Sequence, residues 1–489
     1  MNLKSLAKDT ALYGLSSIVG RFLNYLLVPL YTMKIAAESG GYGIVTNLYA
    51  YTALLLVILT FGMETTLFRF SNKDGEDGRM VYSTTLRMVA LVCLAFIALV
   101  LGFLHPIAGA LGYSDHPEYI GCMALIVAQD AFQAIMFSRL RQQGRPVRFV
   151  ALKFAFIIPN VLLNLAIFLL PHTAWEALWV KYNYGVGFIF FVNLLCTTAV
   201  TLLFIPEIKG IFYGWDKGLA GRMLSYTWPL LLFGMVGILN QVADKILFPY
   251  LVPGEEGRVQ LGIYGACVKI AMIMALLTQA FRYAYEPIVF NGSRDRNSPE
   301  TLRDGMKYFV IFSMLAWLAV LFYLPLLRYF AGTGSYWAGL RVVPVVMMAE
   351  IFMGILFNLS FWYKLSDQTW WGAVISAAGA AVMIGVNVAF VPRFGYMACA
   401  WGGFAGYGTA MLMSYFLGQK KAPVAYDMKS ICISFALALA LYAASLAVRR
   451  AMGLTNASPL NGRMILYMVV NTALIAVYGL FVLKSIKKR

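Results

Sequence analysis

The sequence predicts an all-α polytopic membrane protein with about fourteen transmembrane helices, and three observations support this prediction. Of the 489 residues, 61% are hydrophobic and only 12% are charged, whereas a soluble domain carries about 25% charged residues. The mean hydropathy is +0.73, so the chain lacks the polar surface that would cover it in water. Apolar runs of about 20 residues, the length that crosses roughly 30 Å of hydrocarbon, recur along the chain.

The predicted spans divide into two similar halves. They lie at roughly 10–33, 44–63, 81–104, 118–138, 150–170, 184–204, 225–248, 262–285, 309–330, 343–363, 370–391, 398–418, 431–448 and 464–484. Residues 24–30 of the first span resemble residues 244–250 of the seventh, and an offset of six spans preserves topology. This predicts two pseudo-symmetric six-helix lobes, 1–224 and 225–430, followed by two helices in 431–489. Chance similarity between two apolar runs with a proline is the alternative.

The charge distribution predicts the orientation of the chain. A net charge of +17 would suggest nucleic acid as a partner of a soluble protein. In a membrane protein, Lys and Arg gather in cytoplasmic loops, and here about 24 of them fall on the side of the N-terminus against about nine on the other. We therefore expect no nucleic-acid partner, cytoplasmic N- and C-termini and membrane lipid as the surroundings.

Motifs of catalysis are missing from the sequence. It contains no GxxxxGK[ST] loop, no HExxH and no GxSxG, which are the sequence signatures of nucleotide, zinc and serine-hydrolase chemistry. The six cysteines are scattered singly without CxxC spacing, so neither a disulfide framework nor a metal site is expected. No connecting segment is long enough to fold as a domain. These observations predict a transporter without a cofactor rather than an enzyme.

Charged residues inside the spans indicate where such a transporter would bind its substrate. Charge in hydrocarbon costs several kcal/mol on the more permissive scales, so it usually faces a bundle interior or a water-filled cavity. The basic residues within spans are Arg21, Arg87, Lys153, Lys245, Lys269 and Arg282, and the acids are Asp130, Asp244 and Glu350. The balance is positive, which favours an anionic ligand.

Arg21 is the strongest candidate for a ligand of that anion. It lies roughly 16 Å into the first span at 1.5 Å per residue, and Ser17, Arg21 and Asn24 form one stripe at i, i+4 and i+7. The alternative is a structural Arg that donates hydrogen bonds between helices. In the fifth span, Lys153 shares a face with Asn160 and Asn164, although it could instead extend to the nearby interface.

The remaining charged residues are open to two interpretations each. Lys269 and Arg282 lie about 140° apart around one helix, so they cannot face the same point; Arg282, like Arg87, is either an inner-mouth ligand or a headgroup anchor. The fourth span has Gln129, Asp130 and Gln133 near mid-depth, and Asp130 could hold a proton or Na⁺, or neutralise Arg21. Asp244 could serve ion coupling or pair with Lys269. Glu350 is a candidate for gating or coupling.

Several local motifs resemble those of the polysaccharide-transport proteins in the multidrug/oligosaccharidyl-lipid/polysaccharide exporter superfamily. They are the stretch from Tyr13 through Arg21 to Tyr31, the loop at 41–44, the segment 61–70 and the run from 262 to 287. The resemblance extends over nearly the whole chain in helix number and orientation.

The resemblance implies a flippase in the bacterial cytoplasmic membrane for undecaprenyl-pyrophosphate-linked oligosaccharide, of the O-antigen or capsule type. It implies alternating access around a cationic central cavity, with Arg21, Lys269 and Arg282 in that role, and polysaccharide polymerase and glycosyltransferases as partners. The family usually has Asp-Arg where this chain has Asp244-Lys245, and lysine lacks the bidentate fork of arginine. The further candidates for the cationic site are Asn24, Lys153 and Arg87.

Other functions remain to be weighed against this one. A lipid II-type flippase for the peptidoglycan precursor would share the helix number and the cationic cavity. A membrane polymerase or ligase acting on lipid-linked glycans would need a large catalytic outer loop, and the outer loops are all short. A drug/cation antiporter is expected to have about twelve spans and an acidic cavity. Coupling to Na⁺ or H⁺ would drive any of the transporters.

Overall fold

The structure is a computed structural model that describes residues 25–73, 75–170, 176–182, 185–292, 298–366, 368–456 and 458–487. These residues form α-helices joined by short turns and by a few 3₁₀ segments, and no strand occurs among them. The predicted all-α polytopic fold is confirmed.

The helices of the first half of the described chain are α1 (Leu27–Lys34), α2 (Gly41–Thr60), α3 (Met63–Ser71), α4 (Gly78–Gly102), α5 (Leu104–Ala110), α6 (Pro117–Gln142), α7 (Pro146–Leu169), α8 (Glu176–Lys181), α9 (Val186–Leu203), α10 (Ile205–Ile208) and α11 (Lys217–Leu251). Those of the second half are α12 (Glu255–Gly292), α13 (Ser298–Phe322), α14 (Leu324–Leu327), α15 (Val343–Leu359), α16 (Phe361–Leu365), α17 (Trp370–Phe394), α18 (Tyr396–Lys421), α19 (Met428–Ala451) and α20 (Gly462–Lys487). The 3₁₀ segments are Ala37–Ser39, Lys209–Tyr213, Arg328–Ala331 and Gly334–Val342.

Twelve helical stretches of the described residues are long and apolar enough to cross a membrane. Two predicted spans are not among the twelve. The span at 10–33 lies mostly outside the described residues, and the span at 398–418 corresponds to α18, a continuous helix of 26 residues with several glycines. The number of helices is thus consistent with the predicted fourteen or so.

The chain forms two compact units. The first unit contains the described residues up to Ile35 together with Gly41–Ile246; the second contains Ala36–Gly40 and the described residues from Leu247 onward. The boundary therefore falls within α11, and α19 and α20 belong to the second unit. The division at 224 and 430 rests on the internal repeat and stays a prediction.

The first unit is organised around α6. Two thirds of its spanning window is buried, and Val127, Ala131 and Ile135 are fully enclosed. On α4, by contrast, Leu91 and Leu94 are more than 60% exposed. The buried residues of α6 and the exposed residues of α4 are both apolar, because lipid is as apolar as a protein core. Hydrophobicity alone therefore does not decide which face of a helix is buried.

The second unit is held together by small residues and by buried polar contacts. Gly379 of α17 and Gly406 of α18 approach so closely that a Cβ on Gly406 would lie 2.8 Å from the Gly379 carbonyl oxygen, the small-residue packing typical of membrane helices. The last helix is attached through Asn471, which donates to the Phe322 carbonyl (3.2 Å), and Tyr478, which donates to the Ile311 carbonyl (3.2 Å).

A short segment between α1 and α2 belongs to the second unit. Ala36–Gly40 lies against the beginning of α12. Gly40 has φ +64°, and a Cβ there would lie 2.8 Å from the Cβ of Arg258. Glycine is therefore required both by the left-handed backbone and by the close approach.

Candidate functional site

A polar network inside the first unit connects α2 and α9. Asn193, Thr197 and Thr201 follow one another at four-residue spacing on one face of α9. Asn193 Nδ2 donates to the Tyr49 hydroxyl of α2 (2.6 Å), and Thr197 Oγ1 donates to Asn193 Oδ1 (3.2 Å).

Glutamines of α6 extend this network. Gln133 Nε2 donates to the Thr197 carbonyl (3.0 Å) and to Thr201 Oγ1 (2.9 Å), and Thr201 Oγ1 donates to Gln129 Oε1 (3.0 Å). A polar group in hydrocarbon is costly unless it is hydrogen-bonded, so these contacts fix α6 against α9. The sequence singled out Gln129 and Gln133; the regular spacing of the α9 partners was the signal that could have identified them.

Asp130 and Lys153, one predicted for ion coupling and the other for substrate binding, lie near each other beside this network. They belong to α6 and α7, and they interact electrostatically. Asp130 also interacts electrostatically with Tyr49. The Lys153 ammonium lies 4.1 Å from the ring centre of Phe137, within the range of a cation–π contact.

The predicted stripe of Lys153, Asn160 and Asn164 has two different environments. Both asparagines are buried, and Asn164 Nδ2 donates to the Asn160 carbonyl oxygen (2.8 Å) and to Asn160 Oδ1 (3.1 Å). Lys153 is half-buried. The asparagines therefore bind each other while the lysine lies over an aromatic ring.

Arg87 fixes the segment that follows α9. Its Nε donates to the Ile211 carbonyl (2.8 Å), and Ser83 Oγ donates to the same oxygen (2.8 Å). Tyr82 adds a hydrogen bond to the Glu207 carbonyl (3.1 Å). Two successive turns of α4 thus donate hydrogen bonds to the backbone of residues 207–211. Arg87 therefore has a structural contact in addition to any contact with a substrate.

Asp244 is paired with the residue that follows it. It is 6% exposed, and both carboxylate oxygens lie 3.0 Å from the Lys245 ammonium. In the same turn the Lys245 carbonyl accepts a hydrogen bond from Asn47 Nδ2 (2.8 Å). An ion that used Asp244 would have to compete with this lysine.

The second unit contains the remaining candidates. Lys269 on α12 and Glu350 on α15 are both half-buried. Arg282, further along α12, is exposed, and its guanidinium carbon lies 4.5 Å from the ring centre of Phe357. Arg21 and Asn24 lie outside the described residues.

Sequence reasoning missed Lys364, which lies over the same ring as Arg282. Its ammonium is 4.7 Å from the ring centre of Phe357 and 5.2 Å from that of Phe361, and 3.8 Å from Glu286 Oε1. The predicted span 343–363 ends just before Lys364 and therefore predicts a loop at this position. The spacing of residues 357, 361 and 364, which share one helical face, was the signal that could have identified it.

An apolar cavity of about 670 Å³, which is half open to its surroundings, lies in the second unit. Its walls come from α13, α15, α18 and α19, and almost no polar atom faces it. Its lining includes Trp317, Met348, Phe352, Phe404, Tyr415 and Leu439. Sequence reasoning did not predict this cavity, because an apolar residue that faces a cavity is indistinguishable from one that faces lipid.

The fold is shared with flippases and multidrug transporters. The chain is similar to a structure titled lipid II flippase MurJ, inward closed conformation, at 13% identity and a TM-score of 0.72, over 97% of this chain and 99% of that one. It is also similar to a ligand complex of the MATE multidrug transporter DinF-BH, at 16% identity and a TM-score of 0.58, over 87% and 97%, and to MATE in complex with MaD3S, at 13% and 0.59, over 84% and 95%.

The chain is therefore a multi-pass membrane protein with the fold of these flippase and transporter structures. At these identities the similarity is one of fold. No family model matches the sequence, and no curated protein matches it.

Proposed function

We propose that this protein is a flippase that moves a polyprenyl-pyrophosphate-linked oligosaccharide across the bacterial cytoplasmic membrane by alternating access. The observation that carries the proposal is the apolar cavity of the second unit. An apolar space of 670 Å³ accommodates hydrocarbon, and a lipid-linked substrate has a hydrocarbon part to place.

Shape complementarity, rather than the hydrophobic effect, would select the tail. Membrane lipid is as apolar as the cavity, so transfer of a chain into it gains little from hydrophobicity. Dispersion contacts with an aromatic-lined wall favour the chain that fits best. Methionines such as Met348 and Met411 adapt to a methyl-branched chain because their side chains are flexible and polarizable.

The headgroup requires the opposite chemistry. A pyrophosphate with a glycan cannot cross hydrocarbon unaided, and charge-assisted hydrogen bonds from Arg and Lys are the strongest that proteins offer to a phosphate. Arg282 and Lys269 of the second unit and Lys153 of the first are the described candidates, with Arg21 and Asn24 of the first span as the sequence predicts. Arg87 would contribute mainly by shaping the first unit.

Ion coupling would supply the driving force. Asp130 is the best candidate, because it lies beside Lys153 and a hydrogen-bonded network. A bound H⁺ or Na⁺ would release Lys153 for an anion, which links cation binding to headgroup binding. Asp244 and Glu350 remain candidates for coupling or gating. Both termini would be cytoplasmic, where glycosyltransferases supply the substrate, and a polymerase would use the product on the other side.

A lipid II-type peptidoglycan precursor is the second candidate substrate. The full-length similarity to the MurJ flippase, with a TM-score of 0.72, favours it. The two substrates share a lipid anchor and differ in the glycan, so only a direct comparison separates them.

Reconstitution in liposomes tests the proposal. Liposomes that contain the protein are loaded with either a labelled polyprenyl-pyrophosphate oligosaccharide or lipid II, and a Na⁺ or H⁺ gradient is imposed. An enzyme added outside the liposomes then measures exposure, which is the amount of substrate that has reached the outer leaflet. Exposure that depends on the protein supports the proposal, and the substrate that is exposed faster identifies the cargo. No exposure of either substrate would refute it.

A pair of matched variants tests the role of the cavity. Val345→Trp places a bulky ring into the cavity, which Val345 lines, and Val388→Trp places the same ring on a lipid-facing position that is 51% exposed. We expect slower exposure for Val345→Trp only. Equal rates for the two variants would remove the cavity from the mechanism.

A further inference from the structure

An aromatic platform lies at the end of the second unit where α12 and α15 finish. Phe281 stacks with Tyr285 (4.8 Å between ring centres) and contacts Phe309 (4.9 Å). Phe361 contacts Tyr285 (5.8 Å) and Phe357 (5.3 Å). Such tilted and stacked rings are stabilising beyond the area that they bury, and the five rings connect neighbouring helices.

Hydrogen bonding and glycines make this platform rigid. The Tyr285 hydroxyl donates to the Thr301 carbonyl (2.9 Å) at the beginning of α13. A Cβ at Gly305 would collide with Tyr285, and one at Gly354 would collide with Phe309. The absence of side chains at these two positions lets the rings fill the space.

Two cations lie over one ring of the platform. The Arg282 guanidinium is 4.5 Å and the Lys364 ammonium 4.7 Å from the ring centre of Phe357. They come from α12 and α16, and the like charges interact with each other. A cation–π contact compensates only part of the cost of holding each charge near the other, and a carboxylate would compensate more.

Nearby acidic side chains neutralise the two cations only in part. Glu286 Oε1 is 3.8 Å from the Lys364 ammonium, which is beyond hydrogen-bonding distance. Among the described residues, no carboxylate forms an ion pair with Arg282. Arg282 is exposed, and Lys364 and Glu286 retain 28% and 36% of their side-chain exposure. The site is accessible, and its described residues carry one more positive charge than negative.

Neighbouring basic residues at the same end of the unit have closer acidic partners. Lys307 lies 2.8 Å from Asp427 Oδ2, and Arg303 lies 3.3 Å from Asp304. Both of these basic residues thus lie closer to a carboxylate than Lys364 does, and Arg282 forms no ion pair among the described residues.

We propose that Arg282 and Lys364 form a two-cation site for a phosphate-bearing headgroup, with Glu286 as the internal anion that the ligand displaces. This proposal rests on the proposed function for the identity of the headgroup, a pyrophosphate ester, and it adds Lys364 as a binding residue. Guanidinium and ammonium groups donate charge-assisted hydrogen bonds to phosphate oxygens, and the rigid platform reduces the cost of ordering both side chains.

Binding of inorganic pyrophosphate to the purified full-length protein in phosphatidylcholine nanodiscs tests the site. A charged hydrogen bond contributes about 1.5–3 kcal/mol, and each 1.4 kcal/mol is tenfold in Kd. Arg282→Gln and Lys364→Gln should therefore each raise the Kd about tenfold or more, Glu286→Gln should lower it, and Lys364→Arg should retain binding.

Lys421→Gln is the matched control, because Lys421 also lies over an aromatic ring, 5.0 Å from the centre of Trp371, at the same end of the unit. Its Kd should equal that of the wild type. The proposal would be overturned if Lys421→Gln lost as much binding as Arg282→Gln and Lys364→Gln. It would also be overturned if binding were unchanged in both Arg282→Gln and Lys364→Gln.

A second measurement identifies the source of the phosphate and separates this site from the proposed function. If the substrate occupies the site, Arg282→Gln and Lys364→Gln raise the substrate concentration that half-saturates exposure in liposomes. If an anionic lipid occupies it, phosphatidylglycerol in the nanodiscs weakens pyrophosphate binding to the wild type and not to the variants. A wild type that binds pyrophosphate and exposes no substrate would refute the proposed function and leave the site.

Discussion

Replacement of Glu207 by glutamine should destabilise the first unit. The side chain of Glu207 is 5% exposed and lies on α10. Its two oxygens accept hydrogen bonds from Arg148 Nε (2.6 Å) and from the second nitrogen of the same guanidinium (2.7 Å), and Arg145 approaches to 3.6 Å. This bidentate pair attaches the segment after α9 to the beginning of α7.

The size of the expected loss of stability depends on how exposed the arginine partners of Glu207 are. Removal of one member of a buried ion pair costs about 3–5 kcal/mol, whereas an exposed pair contributes about 0–1 kcal/mol. Glu207 is buried, but Arg148 and Arg145 are 31% and 51% exposed, so water can solvate the guanidinium groups that are left. The expected loss is about 2 kcal/mol, or roughly 4–8 °C in the Tm of a unit of this size.

Thermal unfolding of the detergent-solubilised protein measures this effect. A double-mutant cycle with Arg148→Met should give a coupling free energy of at least about 1 kcal/mol. The control is Arg222→Gln, which removes an ion pair with Glu76 of the same length (2.6 Å) but with an arginine that is 51% exposed, and its Tm should change little. A Glu207→Gln shift no larger than that of Arg222→Gln, without coupling to Arg148, would refute the reasoning.

Two further predictions concern the second unit. Hydrogen bonds from Lys307 and Ser430 lower the pKa of Asp427 to about 2. A carboxylate with a lowered pKa stabilises the fold at pH values above the pKa that it has in the unfolded chain, and this contribution is lost as the pH falls toward 2. The Tm difference between wild type and Asp427→Asn should therefore shrink between pH 6 and pH 3. Gly406→Ala should lower the Tm by several degrees, because its Cβ would contact the Gly379 carbonyl. Gly403→Ala is the control and should leave the Tm unchanged, because a Cβ there would have nothing within 4 Å. Equal Tm shifts for the two variants would contradict the close packing of α17 and α18.

The sequence predicted the helices well, because lipid imposes a length and a composition on each span that can be read locally. It also placed Gln129, Asp130 and Gln133 on one polar segment. It did not predict which helix they contact, since the pairing of α6 with α9 depends on topology rather than on either segment alone.

Long basic side chains were harder to predict. Arg87 was a candidate ligand, and the structure places its Nε on the Ile211 carbonyl. Lys364 was treated as a loop residue, and it lies over Phe357. The end of an Arg or Lys side chain is several bonds from its Cα, so its contacts depend on the neighbouring helices and not on its position along its own span.

The segment Ala36–Gly40 has a consequence for biogenesis. It is synthesised early, yet the residue that its last glycine touches, Arg258 of α12, is made only after α2 to α11. At 5–20 residues per second the delay is roughly 10–40 s. During this time the segment has no partner in its own unit, while α2 and the helices after it can already assemble. Insertion of the second half of the chain is therefore also the step that completes the connection between the first two helices, and a ribosome stalled before α12 would leave that connection unpacked.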